Sequence, residues 1–376
     1  MRFIFALTRY PGIGGIEVVT RTIASRMIQG YSLDILSFFQ EGEMDIPNVG
    51  LFQMPEKKYD SCSNRAFVKK ILMESKYDAL IYQDSYAPTE KCVIESAKQC
   101  GVPVLVFEHN TPRFVESKRN MEKWYKPMGL ARRVLHPWLM YKERRRKRYL
   151  LENCFRYVVL SEAFVDDFCN VIGSKKSDYR LRVVHNPVIS CVFSGLEIKQ
   201  NVILCVAQLN SVKRVNLMLK AWCRISYDLP NWCFWIVGDG PERSKLEKLA
   251  KDLKLQRVRF WGFQKSAKFY EKAKVFWMTS KYEGWGLTLV EAMQRGCIPV
   301  AMNTYASLKD IVDSGKNGMI CQADDLDAFC KATLAIAQDD NAYKKMIVNA
   351  RQKTHNWEIE NVLKEWYSLL GELTMD

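Results

Sequence analysis

The chain has 376 residues, of which 48% are hydrophobic and 26% charged, and its formal net charge is +14. This length and composition predict a globular protein of two domains, each with its own core. No apolar run approaches the roughly 18–20 residues that cross a bilayer, and Met1–Leu7 lacks the pattern of a secretory signal. We therefore expect a cytoplasmic protein with reduced cysteines, rather than a membrane-spanning or disordered chain.

Residues 1–187 alternate strand-like and helical runs, which predicts an α/β domain built on a doubly wound parallel sheet. The first strand leads into the glycine loop Pro11–Gly15 and then into a helix. Gly14 and Gly15 would allow a phosphate to approach the backbone, but Glu17 stands where the dinucleotide-binding fingerprint has its last glycine. A phosphate loop and a tight packing turn both remain open.

The predicted strand at 102–107 ends in the polar tip Glu108–Asn110. Ligands of doubly wound sheets gather beyond the carboxyl ends of the strands, which makes His109 a candidate functional residue. A histidine at a strand end can equally be a hydrogen-bonded loop residue, so its position alone does not assign it a role.

Residues 113–148 concentrate the positive charge of the first half, with thirteen Lys and Arg against three Asp and Glu. Aromatic residues, among them Trp124, Tyr125 and Trp138, are interleaved with these cations. That mixture predicts a surface that meets anionic lipid headgroups. The alternatives are a solvated helix with its apolar face in the core, and a nucleic-acid patch at Arg144–Arg148. No nucleic-acid-binding motif supports the last alternative.

A second alternation of strands and helices fills residues 188–356 and predicts a second domain of the same class. The connection after its first strand carries two cations, Lys213 and Arg214, at the mouth of the sheet. A final helix within 357–376 is predicted to begin at the cap Asn356.

The stretch 279–299 carries most of the chemistry. A strand runs into a turn with two glycines, the second being Gly286, and an amphipathic helix follows from Leu287. The start of a helix exposes unpaired N–H groups at the positive end of its dipole, which suits a phosphate. Glu283 and Glu291 flank this position and suit hydroxyl groups, so the stretch predicts a nucleotide-sugar site. The alternative is a carboxylate at a helix start and a solvated helix residue.

With these pieces in this order, the sequence resembles the retaining GT-B glycosyltransferases of family four, the group 1 glycosyltransferases. Glu283–Glu291 matches the E-x7-E signature of that family, while Gly238–Glu242 and Ala292–Val300 match two further segments. Pro11–Glu17 resembles the N-terminal glycine loop. The resemblance implies two Rossmann-like domains that face each other across a cleft, with the terminal helix, 357–376, crossing back to the first.

The resemblance also implies roles for individual residues. Lys213 would neutralise the donor diphosphate, Glu283 would bind hydroxyls of the transferred sugar, and Glu291 would bind the ribose. Gly286 and Leu287 would contact the donor sugar and phosphate, and Phe263 would contact the base. Gly14 and Gly15 would approach the donor phosphate from the first domain. His109 would contact an acceptor hydroxyl. His109, Glu283 and Lys213 are thus the predicted catalytic residues.

One position departs from the family pattern. The family usually carries an arginine five residues before the lysine, and here that position is Gln208. Glutamine brings neither charge nor a bidentate fork to the diphosphate. We expect Arg214 to supply part of the missing charge.

The sequence therefore predicts a retaining glycosyltransferase that moves a hexose-type sugar from a UDP-linked donor to a lipid-linked or glycan acceptor in surface polysaccharide assembly. We expect no cofactor, no metal ion and no nucleic acid partner. We also expect a peripheral location on the anionic inner face of the membrane, through residues 113–148. The alternatives are a GT-B nucleotide-sugar isomerase and a non-catalytic protein that binds nucleic acid or membrane.

Overall fold

The structure is a computed structural model, and it describes residues 1–12, 14–27, 30–42, 46–84, 86, 88–119, 127–174, 178–191 and 199–374. They form two compact units. The first contains the residues up to Ile189 together with the C-terminal segment from Trp357, and the second runs from Ser190 to Asn356.

Seven parallel strands form the sheet of the first unit. They are β1 (Arg2–Arg9), β2 (Ser32–Phe39), β3 (Gly50–Gln53), β4 (Ala79–Asp84), β5 (Val104–Glu108), β6 (Arg156–Val159) and β7 (Leu181–Val183). Their order in the sheet is β3-β2-β1-β4-β5-β6-β7. β1 and β5 are almost wholly buried, as expected for parallel strands covered on both faces.

Helices alternate with these strands. They are α1 (Gly15–Ala24), α2 (Cys62–Ser75), α3 (Glu90–Gln99), α4 (Phe114–Arg119), α5 (Pro127–Val134), α6 (His136–Glu152) and α7 (Glu162–Ile172). The predicted basic segment thus corresponds to α4, α5 and most of α6, which follow one another between β5 and β6.

Six parallel strands form the sheet of the second unit. They are β8 (Gln200–Val206), β9 (Cys233–Val237), β10 (Val258–Phe260), β11 (Ala273–Met278), β12 (Ile298–Met302) and β13 (Met319–Cys321), in the order β10-β9-β8-β11-β12-β13. The helices are α8 (Val215–Ile225), α9 (Arg243–Asp252), α10 (Ala267–Lys272), α11 (Leu287–Gln294), α12 (Leu308–Ile311), α13 (Leu326–Gln338) and α14 (Asp340–Thr354). The predicted pair of doubly wound parallel sheets is confirmed.

The last helix, α15 (Ile359–Gly371), begins later than predicted. The predicted cap, Asn356, is wrong, because it lies within a short 3-10 turn and Glu358 is the N-cap residue. The cause is tertiary pairing: the N–H of Val188 donates to Trp357 O at 2.8 Å, and the N–H of Ile359 donates to Val188 O at 3.0 Å. This pairing holds Glu358 extended and separates α15 from α14.

An aromatic contact fixes α15 on the first unit. Trp366 is buried, and its ring stacks on Phe107 of β5 with 4.4 Å between centroids and 9° between planes. It also meets the ring of Phe5 edge-on at 5.7 Å. The C-terminal helix therefore covers the middle of the first sheet.

Replacing Trp366 by alanine is expected to lower the free energy of unfolding of the first unit by about 3–5 kcal/mol, because the change leaves a cavity against Phe5 and Phe107. Tyr227→Ala, at a side chain that is 92% exposed, is the control and should cost less than about 0.5 kcal/mol. Urea denaturation followed by circular dichroism measures both. Equal effects of the two changes would show that α15 does not stabilise the sheet.

Candidate functional site

The predicted residues of the second unit converge at the carboxyl edge of its sheet. β8 and β11 are paired in parallel, so the loops that follow them leave the same edge. The Thr279 hydroxyl lies within hydrogen-bonding distance of the carbonyls of Lys213, at 3.0 Å, and Arg214, at 3.1 Å. The N–H of Lys281 donates to Val212 O at 2.8 Å. These bonds hold the two loops side by side.

The glycine turn feeds α11 as predicted, with Leu287 as the first helical residue. Gly286 caps the helix at φ +97°, a left-handed conformation that glycine tolerates best. A Cβ atom there would also stand 3.4 Å from the Tyr305 hydroxyl. The buried Ser307 hydroxyl donates to Gly284 O at 3.2 Å and holds the turn. Because the first N–H groups of a helix lack partners within it, this turn is a candidate anion site.

Lys213 and Glu283 meet directly at this edge. Lys213 Nζ donates to Glu283 Oε1 at 2.7 Å, and the two side chains are 24% and 13% exposed. Both line a small cavity together with Ser280 and Thr288. The pKa of the nearby Tyr305 hydroxyl is raised well above its usual value by burial and by the charge of Glu283. The structure thus places a cation and a carboxylate beside the start of α11.

Glu291 lies one turn inside α11 and is only partly exposed. Burial raises the pKa of its carboxyl, and this rise is opposed by the hydroxyl of Tyr270 and by the positive charge of Arg295. Burial and the Glu291 charge in turn raise the pKa of Tyr270 well above its usual value. Glu291 is therefore a largely buried carboxyl group with a tyrosine hydroxyl and an arginine beside it.

The other predicted donor contacts of the second unit are less closely grouped. Gln208 is exposed, and its Oε1 accepts a hydrogen bond from Asn210 Nδ2 at 3.1 Å. Phe263 is 70% exposed. Arg214 is buried, and its guanidinium pairs with Asp324 and donates to Thr279 O at 2.6 Å. Arg214 would have to leave these partners before it could share the charge of a diphosphate.

The glycine loop of the first unit faces a carboxylate from the first turn of α1, a contact that the sequence alone did not reveal. Gly14 is the N-cap of α1 and Gly15 its first residue, and both are exposed. The Glu17 carboxylate lies against Gly14. Ile13, in the same loop, lies outside the described residues. A phosphate that approached Gly14 would meet this negative charge.

His109 follows β5 and is buried. Its Nε2 atom is hydrogen-bonded to Gln83 Oε1 on the neighbouring strand β4. Sequence reasoning missed Gln83, although it ends the apolar part of a predicted strand beside the one that carries His109. The polar tips of β4 and β5 thus meet at one edge, as the parallel pairing requires.

The cluster Arg144–Arg148 is not a uniform basic surface. Lys147 is fully buried and forms an ion pair with the buried Glu108. Arg144 Nε donates to Val171 O at 2.8 Å and Arg148 Nε to Ile172 O at 2.9 Å, at the end of α7. Lys147 therefore serves the fold, whereas Arg144 and Arg148 bond to the end of α7 but remain exposed and charged. A sequence signal existed: Glu143, Lys147, Leu150 and Leu151, all buried, form one stripe at helical spacing.

The exposed part of the basic segment lies on α5 and the start of α6. We call it the α5–α6 patch and define it by its large exposed side chains and neighbouring exposed cations, namely Leu130, Val134, Leu135, Trp138, Tyr141, Arg133, Lys142 and Arg145. Lys142 Nζ lies 3.7 Å from the centroid of the Trp138 ring. Trp124 and Tyr125, also predicted to be part of this surface, lie outside the described residues.

Among the residues that the structure describes, no group of three or more His, Cys, Asp or Glu side chains could hold a metal ion. Within the same ranges, no helix combines the length and the apolar character needed to cross a bilayer.

Two family models match the chain, one in each unit. Residues 13–189 match Glycosyltransferase Family 4, and residues 193–353 match Glycosyl transferases group 1. A Campylobacter jejuni relative, the α-1,4-N-acetyl-D-galactosaminyltransferase that acts on GalNAc-α-(1→4)-GalNAc-α-(1→3)-diNAcBac-PP-undecaprenol, is 26% identical and covers 96% of both chains.

Solved structures share the fold. Anabaena HepE in complex with UDP and glucose has a TM-score of 0.77 at 16% identity, over 99% of this chain and 100% of that one. Sucrose-phosphate synthase of Thermosynechococcus elongatus has a TM-score of 0.78 at 16% identity, over 100% of this chain and 99% of that one. The predicted GT-B fold class and the predicted family resemblance are both confirmed: the chain belongs to the group 1 glycosyltransferases.

Proposed function

We propose that this chain transfers a hexose-type sugar from a UDP-linked donor to a lipid-linked or glycan acceptor in surface polysaccharide assembly. The observation that carries the proposal is the ion pair of Lys213 and Glu283 in the cavity beside the start of α11. A cation and a helix N-terminus suit a diphosphate, and a carboxylate beside them suits sugar hydroxyls. The Campylobacter relative acts on a polyprenyl diphosphate-linked glycan and HepE binds UDP and glucose, which favours these acceptor and donor classes.

The leaving group sets the main chemical demand. Negative charge grows on the diphosphate as its bond to the anomeric carbon stretches, and preorganised positive charge at that point lowers the barrier. Lys213 and the first turn of α11 would supply that charge without a metal ion. Because Gln208 is neutral and Arg214 is engaged with Asp324, Lys213 carries more of this task than the family pattern would suggest.

The two carboxylates have different partners in this proposal. Glu283 accepts hydrogen bonds from hydroxyls of the transferred sugar while it keeps Lys213 oriented. Glu291 accepts them from the ribose. Glu283 is already paired and Glu291 lies inside a helix, so neither is disposed to act as a covalent nucleophile. The family resemblance instead favours transfer from the front face of the sugar, with retention of configuration, and we include this in the proposal.

The acceptor would be handled by the first unit. His109, at the tip of β5, positions the acceptor hydroxyl. The α5–α6 patch presents aromatic side chains among cations, a combination that suits the interface of an anionic membrane. The protein would then work as a peripheral enzyme on the inner face of the membrane, where a lipid-linked acceptor is anchored.

Lys213→Met is expected to lower kcat about 100- to 1000-fold with the fold intact, because it removes a preorganised charge at the leaving group. Lys274→Met is the matched control: Lys274 is the second residue of β11, at the edge of the sheet opposite to Lys213. Its side chain is 18% exposed and pairs with Asp340 at 3.2 Å. Transfer from UDP-glucose to a synthetic polyprenyl diphosphate-linked glycan measures both.

The same assay tests two further parts of the proposal. Chelation by EDTA should leave the wild-type rate unchanged, and NMR of the product should show the anomeric configuration of the donor. Equal rates for Lys213→Met and wild type would refute the role of Lys213. An inverted product would refute front-face transfer.

Donor binding is expected to depend on pH through Glu291. Because burial raises the pKa of this carboxyl, it gains a proton at a higher pH than an ordinary glutamate, whose pKa is about 4.3. The protonated form is a poorer acceptor for ribose hydroxyls, so the affinity for UDP-glucose should fall on acidification. Glu291→Gln should bind about 10-fold more weakly but with little pH dependence. Calorimetric titrations between about pH 5 and pH 8 measure this, and identical profiles would contradict it.

Membrane binding is expected to require the α5–α6 patch. Replacing Lys142 and Arg145 by glutamine should weaken binding to vesicles with 30% phosphatidylglycerol about 30-fold, since each cation near an anionic surface contributes about 1 kcal/mol. The control replaces Lys245 and Lys248, two exposed lysines of α9, and should bind as wild type does. Co-sedimentation measures both. Equal binding of wild type to neutral and anionic vesicles would contradict the proposal.

A further inference from the structure

A buried ion pair lies immediately next to His109. Glu108, the last residue of β5, and Lys147 of α6 form this pair, and both side chains are fully buried. The Tyr86 hydroxyl donates to Glu108 Oε1 at 2.6 Å, and the Tyr157 hydroxyl donates to Glu108 Oε2 at 2.9 Å. Both oxygens of the carboxylate are therefore held, so Glu108 has one defined position relative to α6.

The two residues that flank Glu108 also hold the end of β5 in place. Phe107 stacks on Trp366 of α15, and His109 is hydrogen-bonded to Gln83. Side chains of successive strand residues point to opposite faces of the sheet. Glu108 is consequently the contact through which α6 acts on this strand end, while Phe107 and His109 belong to the other face.

Stability alone does not account for a charged pair at this place. Two well-packed apolar side chains of similar volume commonly serve a fold as well as a buried ion pair does. The ion pair also fixes the relative positions of Glu108 and Lys147, because hydrogen bonds depend on the direction in which the two groups approach each other. The Cα atoms of Glu108 and His109 are one peptide unit apart, about 3.8 Å, so a shift of Glu108 is transmitted to His109.

We propose that Lys147 is a positioning residue that sets the place of His109 through Glu108. This inference rests on the proposed function, in which His109 meets the acceptor hydroxyl. It also explains why α6 carries a buried lysine behind the exposed α5–α6 patch: the helix that meets the membrane holds the strand end that meets the acceptor.

The test uses the paired variant Glu108→Gln with Lys147→Met in the full-length protein. It removes both charges of the pair together, so neither is left unpaired. The glutamine Oε1 still accepts from one of the two tyrosine hydroxyls, and its Nε2 donates to the other. Glu143, whose Oε1 lies 3.4 Å from Lys147 Nζ, is changed to glutamine in the same variant so that no buried carboxylate loses a cation. We expect kcat to fall about 10- to 100-fold, because small misplacements of a positioned group cost rates of that order. The KM for UDP-glucose, which is set by the second unit, should stay within about twofold of wild type.

A neighbouring ion pair of the same helix provides the matched control. Arg146 Nε lies 3.6 Å from Glu90 Oε1, with both side chains 16% exposed. This pair joins α6 to α3 and does not involve β5. Replacing Glu90 alone by glutamine, so that Arg146 keeps its place 5.2 Å from the centroid of the Tyr86 ring, should leave kcat within about twofold of wild type.

A double-mutant cycle with His109→Ala separates positioning from general damage. If Lys147 acts through His109, the paired change should have less than a threefold effect once His109 is absent. The same fold-loss in both backgrounds would overturn the inference, and so would full activity of the paired variant. An inactive wild-type protein would overturn the proposed function and this inference together, whereas an active wild type with an additive cycle would overturn only the inference.

A milder variant keeps the test decisive if the paired variant does not fold. Tyr157→Phe removes one hydroxyl donor from Glu108 and leaves the ion pair in place. We expect it to lower kcat about threefold to tenfold in the wild-type background and to have no effect in the His109→Ala background. Unchanged kcat in Tyr157→Phe would contradict the inference.

Discussion

The ion pair between Lys213 and Glu283 depends on the parallel pairing of β8 with β11. The two residues are far apart in the chain, but each follows one of these adjacent strands, and parallel strands end at the same edge. Thr279 and Lys281 then bond the two loops to each other, so the cation and the carboxylate meet at 2.7 Å. Gly286 completes the arrangement, because its left-handed backbone starts α11 beside the pair. The geometry of the candidate donor site is thus a consequence of strand order, to which only a few side chains are added.

The first unit uses the same edge of its sheet in another way. There the polar ends of the strands carry Gln83, Glu108 and His109, and the ring of Trp366 packs on the adjacent part of the sheet. Its positive charge is divided between two tasks: Lys147 and Arg146 pair with carboxylates inside the unit, while Lys142, Arg144, Arg145 and Arg148 are exposed. One helix, α6, carries both sets. This division means that the net charge of the segment overstates the charge available to a partner.

Local patterns of apolar residues, glycines and helix caps were enough to predict both sheets and the start of α11 at Leu287. The clustering of Lys213 with the glycine turn was implied by the family resemblance. Features that depend on partners distant in sequence were not predicted. In the sequence, Lys147 cannot be told from the arginines around it, and only the buried stripe of α6 sets it apart. The sequence alone leaves Arg214 free to bind a diphosphate, but the structure pairs it with Asp324. Asn356 has the chemistry of a helix cap, but pairing of Val188 with Trp357 and Ile359 moves the start of α15. The Glu17 carboxylate at Gly14 likewise appears only in three dimensions.

The central claim is that the second unit recognises a UDP-sugar, and ligand-induced stabilisation tests it most directly. A ligand that binds only the folded protein raises Tm, and the rise grows with the logarithm of the ligand concentration once this exceeds Kd. Thermal unfolding should be measured with UDP-, GDP- and ADP-glucose, for wild type and for Lys213→Met. The account predicts a rise in Tm with UDP-glucose, a smaller rise or none with the other two, and a loss of the UDP-glucose effect in Lys213→Met. No shift of the wild-type Tm with any of the three nucleotide sugars would contradict it.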